Sequence, residues 1–417
     1  MSQNKSNKKM REILEKYAKL ILSLGVNLKE GQNLIIQSEP VHWDFIILLG
    51  KLAFQMGARY VKPMIVHAEL SKARVDYQKE DYLGYIPTYY DKYVNTLADE
   101  GWAMVYVGGL ENPDVFATVD QTRNAKIRKA LLEVSKPLMN ARLNGQCPWT
   151  IADLPTKKWA AKVFGSEPTE EAREKLWRIM VSILRLDHDD PLAFWKGHAK
   201  ALKKRADTLN SMKLDFVTFK GPDTNLKVCL TPDALWLGGS EETKDRREYF
   251  PNLPTEEVFT TPDYSKTQGK VKITRPVMIM DQVVKDLWLE FKDGRVVNFG
   301  AKENVTAVEK YFEIDQQNRY LGELALVDIS SPIYQCGKIF SNILYDENAS
   351  CHIALGRGFG MCVKGGNELS EEELKNKGCN NALMHIDVMI GSEKIQVSGQ
   401  TSNGDPVTII KDGSFVI

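Results

Sequence analysis

The sequence predicts an α/β N-terminal domain, with a parallel sheet flanked by helices, followed by a β-rich α+β C-terminal domain. In the first half, apolar helical stripes alternate with short apolar strands, and that rhythm is typical of a parallel sheet covered by helices. From about Phe216, short β-branched and aromatic runs are separated by turn signals such as Asp293-Gly294 and Asn403-Gly404. A chain of 417 residues exceeds one typical core, so we predict two domains, 1–188 and 189–417, the second carrying the functional site.

Periodicity and end signals predict the elements of both halves. An apolar helical stripe runs from Ile13 to Leu24 and is ended by Gly25. Prolines at 168 and 191 mark the starts of two longer helices that run to about 184 and 209. The other predicted helices are 44–56, 115–134, 305–311 and 370–376, and the predicted strands of the first half are 33–37, 60–66 and 102–107.

Composition excludes several classes of partner. Lys+Arg and Asp+Glu both number 55, so the net charge is zero and neither nucleic acid nor an anionic membrane is an expected partner. The polar N-terminus lacks the apolar stretch of a signal peptide, and no segment approaches the roughly 18 apolar residues of a membrane span. The six cysteines form no CxxC pair, which predicts reduced thiols in a cytoplasmic protein.

The most informative segment is the run from Met384 to Ile390. Its apolar residues alternate strictly with His385, Asp387 and Met389, a period of two that predicts a strand with one apolar face. His385 and Asp387 then point to the same side, and an imidazole beside a carboxylate is a natural pair of ligands for a divalent metal. By itself the HxD pattern is weak, because most of its occurrences bind no metal.

Further candidate ligands lie in the same half of the chain. Glu256-Glu257 stands between prolines in PNLPTEEVFTTP, Glu323 opens the apolar run of YLGELALV, and His352 lies in YDENASCHIALG. Each has an ordinary structural explanation: a solvated acidic pair, an exposed glutamate at a strand end, or a hydrogen-bonded core histidine. A thiol dyad of Cys351 and His352 is excluded, because neighbours on an extended segment face opposite ways.

Together, the segments PTEEVFTTP, YLGELALV, DENASCHIALG and HIDVMIG resemble the signature of the M29 metallo-aminopeptidases, the aminopeptidase T and aminopeptidase S group. The resemblance covers essentially the whole chain. It implies two divalent ions, cobalt, zinc or a similar metal, and it leaves open which carboxylate bridges them, although Glu323 is preferred. The implied ligands are Glu257, Glu323, His352, His385 and Asp387, of which the two glutamates are also expected to be catalytic.

Charge counting agrees with two ions rather than one. Three carboxylates and two neutral imidazoles carry a charge of −3, two divalent ions carry +4, and a bridging hydroxide brings the sum to zero. The resemblance implies an aminopeptidase of broad specificity that acts on short peptides, and a homodimer. The expected location is the cytoplasm.

One position departs from the family pattern. A tyrosine assigned to catalysis lies seven residues after the first histidine in the family, and here that position is Phe359. Loss of one such donor typically costs about 10²–10³ in rate. Four explanations stay open: Arg357 or Tyr345 replaces the donor, slow turnover suffices, the protein binds peptides or metal without cleavage, or the glycine-rich register shifts by one residue.

Overall fold

The computed structural model describes residues 2–280 and 282–417. Two compact units are present: Met1–Lys196 together with Ser240–Pro254, and Gly197–Gly239 together with Thr255–Ile417. The predicted domain boundary between residues 188 and 189 stays a prediction, because these units are defined by contacts and not by independent folding. Within the described ranges, no helix is both long and apolar enough to cross a membrane.

The strands of the described ranges are, in chain order, β1 (Asn33–Ser38), β2 (Tyr60–Ile65), β3 (Ala103–Gly108), β4 (Trp149–Asp153), β5 (Leu214–Gly221), β6 (Thr224–Cys229), β7 (Leu237–Gly238), β8 (Glu241–Glu242), β9 (Glu248–Tyr249), β10 (Asn252–Leu253), β11 (Glu257–Thr260), β12 (Gln268–Lys272), β13 (Val277–Ile279), β14 (Gln282–Val284), β15 (Trp288–Lys292), β16 (Arg295–Gly300), β17 (Leu321–Val327), β18 (His352–Gly356), β19 (His385–Met389), β20 (Gln396–Thr401), β21 (Pro406–Lys411) and β22 (Ser414–Phe415).

The α-helices of the same ranges are α1 (Ser2–Leu20), α2 (Trp43–Gln55), α3 (Ala68–Tyr77), α4 (Tyr89–Asp99), α5 (Gln121–Leu143), α6 (Lys157–Phe164), α7 (Glu170–Ile183), α8 (Pro191–Met212), α9 (Val305–Ile314), α10 (Pro332–Gln335), α11 (Ile343–Asp346) and α12 (Glu371–Asn376). A π-helical turn, Ile21–Gly25, continues α1 to the glycine at which the sequence predicts its end.

The first unit is built on a parallel sheet, as the alternating pattern predicts. Its strand order is β10-β4-β3-β1-β2, and each neighbouring pair is parallel. The predicted helix 115–134 is displaced: α5 begins only after Asp120, whose carboxylate accepts hydrogen bonds from the N–H groups of Thr122 and Arg123. Such a side chain satisfies amides that the first turn leaves unpaired, so it fixes the helix start more firmly than apolar periodicity does.

The second unit is rich in antiparallel strands, which confirms the predicted fold class. One sheet has the order β19-β18-β17-β11-β7, and a larger sheet has the order β16-β15-β12-β6-β5-β20-β21-β22. Side chains from both sheets and from α9 join one hydrophobic core, which includes Val258, Leu324, Ile353 and Val388. The five-stranded sheet carries every residue that the sequence proposes as a metal ligand.

Candidate metal centre

Strand register brings the five proposed ligands to one face of the five-stranded sheet. Ala354 in β18 pairs with Glu323 of β17 on one side and with Asp387 of β19 on the other. Directly opposed residues of adjacent strands point to the same face, and so do residues two apart on one strand. His352 therefore shares the face of Ala354, and His385 shares that of Asp387.

Glu257 joins the same face through β11. It pairs with Val327 of β17, four residues beyond Glu323, while Phe259 pairs with Ala325. Ala325 also pairs with His352 across the next strand boundary. Glu257 and Phe259 consequently point to the side that carries the other candidate ligands, and small alanine side chains lie between them.

The opposite face of the same strands is apolar and explains why the register is fixed. Val258, Leu324, Ile353, Ile386 and Val388 are each no more than 8% exposed and pack in the core of the unit. A slip of one residue would exchange the two faces, moving the ionisable side chains into the core and the apolar ones out of it. The predicted apolar face of the strand around Ile386 is thus observed.

The ligand atoms of the five side chains lie close together. Nε2 of His352 is 3.2 Å from Oε2 of Glu257 and 4.0 Å from Oδ1 of Asp387. Nε2 of His385 is 3.1 Å from Oε2 of Glu323 and 3.1 Å from the same Asp387 oxygen. Two groups of three side chains could each hold a cation, because one ligand atom from each residue lies within 4.8 Å of the other two. The first group is Glu257, Glu323 and His352, and the second is Glu323, His385 and Asp387.

The imidazoles are oriented by their second nitrogen atoms. Nδ1 of His385 lies 2.7 Å from the carbonyl oxygen of Arg357, and Nδ1 of His352 lies 3.3 Å from that of Ser350. A carbonyl oxygen only accepts, so Nδ1 carries the proton in both rings. The Nε2 atoms then face carboxylate oxygens, and a proton or a metal cation must separate these electron-rich atoms. This orientation is the usual one for metal-binding histidines.

The donor set fits divalent cations. Imidazole nitrogen and carboxylate oxygen are the atoms that zinc and cobalt accept in proteins. Oε2 of Glu257 is buried, and in the described part of the chain its one close ionisable partner is Nε2 of His352 at 3.2 Å, outside good hydrogen-bond geometry. A buried anionic oxygen with such an imperfect partner is costly, and a bound cation would reduce that cost.

Burial and mutual charge shift the protonation of the cluster. Burial raises the pKa of Glu323 to about 7, with His385 opposing and Asp387 adding to the rise. Burial lowers the pKa of His352, but the carboxylates, Glu257 foremost, outweigh that effect and raise it to about 10. The same balance raises the pKa of His385 well above its ordinary value. In the metal-free protein, these raised pKa values favour protonation of Glu323, His352 and His385, and the bound protons offset the negative charge of the cluster.

Glu347 is a further carboxylate that interacts electrostatically with this cluster, and the sequence alone does not single it out. Burial raises the pKa of Glu347 well above the ordinary range, and the charges of Glu257 and Asp387 add to that rise. It lies five residues before His352, within the segment DENASCHIALG. The preceding Asp346 has a different task, since its carboxylate accepts hydrogen bonds from two backbone N–H groups. No periodicity distinguishes these adjacent acids.

Phe359 lies beside the cluster. Its ring centroid is 4.9 Å from that of His385, with a tilt of 42°, and 5.8 Å from that of Phe259. Of the two proposed replacements for its missing hydroxyl, Arg357 pairs through its guanidinium with the exposed Glu371 at 3.1 Å. Tyr345 is fully buried and stacks on Phe340 at 4.9 Å.

Comparisons with known proteins agree over almost the full length. Residues 10–415 match the sequence model of the family described as thermophilic metalloprotease (M29). The chain is 33% identical over 402 residues to Aminopeptidase 2 of Geobacillus stearothermophilus, covering 96% of this chain and 97% of that protein. It is also 33% identical over 406 residues to Aminopeptidase T of Thermus aquaticus, covering 97% of this chain and 99% of the relative.

A solved structure shows the same fold. Wild-type AmpT from Thermus thermophilus has a TM-score of 0.89 to this chain at 32% sequence identity, with 98% of this chain and 100% of that chain covered.

Proposed function

The chain belongs to the M29 family of thermophilic metalloproteases, and from that premise we propose that it is an aminopeptidase with two divalent cations per chain. Hydrolysis of peptide bonds follows from the family. Release of the N-terminal amino acid is the activity that the names of the relatives indicate. Short peptides of broad sequence are the proposed substrates.

The observation that carries the two-metal proposal is the position of Glu323. It is the single residue common to both groups of candidate ligands, so its two oxygens could face two different ions. Glu257 and His352 complete one group, and His385 and Asp387 complete the other. We therefore propose Glu323 as the bridging carboxylate.

Charge and burial support the same number of ions. The side chains of Glu257, Glu323 and Asp387 are at most 9% exposed, and three carboxylates so close together repel one another. Two divalent cations offset that repulsion, whereas one cation would leave a negative excess. Burial and the neighbouring carboxylates raise the pKa of Glu347, and bound cations would lower it again.

Each of these side chains then has a defined role in the proposed reaction. Bound cations would lower the pKa of a shared water and polarise the substrate carbonyl, which is the chemistry that such pairs supply. His352 and His385 hold their Nε2 atoms towards the site through Nδ1 hydrogen bonds to backbone carbonyls. Glu257 and Glu323 are the proposed catalytic carboxylates, and Glu347 is a candidate carrier of the proton that the departing amine needs. Phe359 offers no hydroxyl to this reaction.

A homodimer, a cytoplasmic location, and cobalt or zinc as the bound metal are further parts of the proposal. They depend on the family resemblance and on the reduced, widely spaced cysteines. Sedimentation at micromolar concentration tests the dimer, and elemental analysis of protein purified without added metal identifies the ion.

The direct test is cleavage of amino-acid p-nitroanilides and short peptides after addition of cobalt or zinc. We expect release of the N-terminal residue only, and two metal ions per chain by elemental analysis. Release of internal fragments, or one ion per chain at saturation, would contradict the proposal.

Phe359 favours a second candidate, a relative that binds peptides or metal with little cleavage. The aromatic ring remains beside His385, but the oxyanion donor of the family is lost. Two bound metals without measurable cleavage of any peptide would establish this second candidate.

A further inference from the structure

We infer that Phe259 and Phe359 form the binding surface for the side chain of the substrate's first residue and select apolar residues there. The two rings together are called the aromatic wall. The inference rests on the proposed function, since it names the substrate class of the same site. It concerns selectivity and not the rate of the chemical step.

Access to the cluster points to this surface. The side chains of Glu257, Glu323, His352 and Asp387 are between 1% and 9% exposed, whereas that of His385 is 23% exposed. His385 is therefore the most accessible of the five candidate ligands. The ring of Phe359 lies against His385, 4.9 Å between centroids.

The second ring extends the wall along the same face of the sheet. Phe259 shares the face of the ligands because it lies two residues after Glu257 and pairs with Ala325. It meets Phe359 edge to face, with centroids 5.8 Å apart and an interplanar angle of 73°. Phe259 and Phe359 are both half-buried residues, which leaves each of them surface for a further partner.

The backbone of Phe359 is held on both sides by one side chain. The hydroxyl of Thr261 accepts a hydrogen bond from the N–H of Phe359 at 2.8 Å and donates to its carbonyl oxygen at 3.1 Å. Gly358 leaves little room for a side chain, since an added Cβ would lie 3.0 Å from Sγ of Cys379 and 3.1 Å from Cγ2 of Thr261. A preformed apolar surface loses little side-chain entropy on binding, which favours selectivity.

Geometry connects this surface with the first residue. In an aminopeptidase, the reacting carbonyl and the free amine both belong to the N-terminal residue, whose Cα lies between them. Its side chain must therefore lie within a few Å of the metal ligands, and the two rings offer aromatic surface at that distance from His385. A charged side chain would be partly desolvated against them without a partner on the wall. Leucine, methionine or phenylalanine would bury apolar area there.

The test compares selectivity and not absolute rate. We expect the metal-loaded protein to cleave phenylalanine and leucine p-nitroanilides at least tenfold better, in kcat/KM, than alanine p-nitroanilide. In Phe259→Ala the ratio of kcat/KM for the phenylalanine and leucine substrates to that for the alanine substrate should fall at least fivefold. Phe216→Ala, which removes a ring on the eight-stranded sheet, is the matched control and should keep the wild-type ratio.

Outcomes separate this inference from the proposed function. Equal cleavage of all three substrates, or a preference for lysine or glutamate, overturns the aromatic wall and leaves the aminopeptidase intact. No cleavage of any substrate overturns the enzyme, and calorimetric binding of L-phenylalaninamide and L-alaninamide to the metal-loaded protein then decides the inference. Tenfold tighter binding of the aromatic amide, lost in Phe259→Ala, supports the wall, whereas equal binding rejects it.

Discussion

The two units of the molecule treat ionisable side chains in opposite ways. In the first unit, Glu80 is 53% exposed and pairs with Arg123 at 2.8 Å and with Lys126. In the second, Glu323 is 5% exposed and its neighbours include two further carboxylates. In the first arrangement, the opposite charges and the surrounding water compensate the carboxylate, and such an exposed pair adds little to stability. The second is stable only with added positive charge.

This difference shows what to look for in a metal site. Acidic residues occur throughout the chain, and only burial together with an opposed imidazole distinguishes the few that could bind ions. A paired surface acid predicts little about function. A group of buried acids on one face of a sheet, with a small residue such as Ala354 at its centre, predicts a cation.

The largest expected effect comes from removing the shared carboxylate. Glu323→Ala should lower kcat/KM at least a thousandfold and reduce bound metal below one ion per chain, because both candidate groups lose a ligand. Peptide cleavage and elemental analysis measure the two effects. Glu80→Ala, the exposed counterpart, should retain metal and activity within twofold. Full metal content in Glu323→Ala would show that this residue does not bridge.

Removal of metal should make stability depend on pH. Folding raises the pKa of Glu323 from 4.5 to about 7 and that of His352 from 6.5 to about 10, so the folded metal-free protein binds these protons more tightly than the unfolded chain. The free energy of unfolding of the metal-free protein should therefore fall as the pH rises from 4.5 to about 7 and from 6.5 to about 10. Loss of the proton from Glu323 alone accounts for about 3 kcal/mol of that decrease.

Thermal denaturation in chelator at pH 5, 7 and 9 measures this loss. The melting temperature should fall steadily with pH in the chelated protein, whereas in the metal-loaded protein, whose histidines are neutral, it should not fall over this range. Equal melting temperatures at pH 5 and pH 9 without metal would contradict the proposed charge balance.

Restoring the hydroxyl should have an intermediate effect. Phe359→Tyr should raise kcat at least tenfold, because the ring already lies beside His385 and the added group can donate to the developing oxyanion. Phe216→Tyr on the eight-stranded sheet is the matched control. An unchanged or lower rate would discard the assignment of Phe359 to the family's tyrosine position.

The smallest expected effect concerns a positioning residue outside the cluster. Nε2 of His198, on α8, lies 3.0 Å from the carbonyl oxygen of Thr255 and 3.3 Å from Oε2 of Glu256, directly before Glu257. His198→Leu should lower kcat three- to tenfold by loosening the start of β11, and His198→Gln, which keeps an N–H donor, should recover most of it. The absorption spectrum of the cobalt-loaded protein should change only in the leucine variant. Identical spectra and rates would mean that the contact serves packing alone.

The sequence predicts much of the fold because local signals dominate there. Proline at the start of α8, glycine at the end of the first helix, and the alternation around Ile386 each act within a few residues. The predictions fail where a signal is not periodic. The start of α5 depends on one capping aspartate, and α3 has no distinct apolar face.

The sequence by itself determined which residue types could bind metal and which strand face His385 and Asp387 share, since a period of two is a local property of the chain. Only the tertiary structure decided that β17, β18, β19 and β11 align in a register that gathers Glu323, His352 and Glu257 beside them. It also added Glu347 and the aromatic wall. Register and burial arise from contacts between distant segments, and no local pattern encodes them.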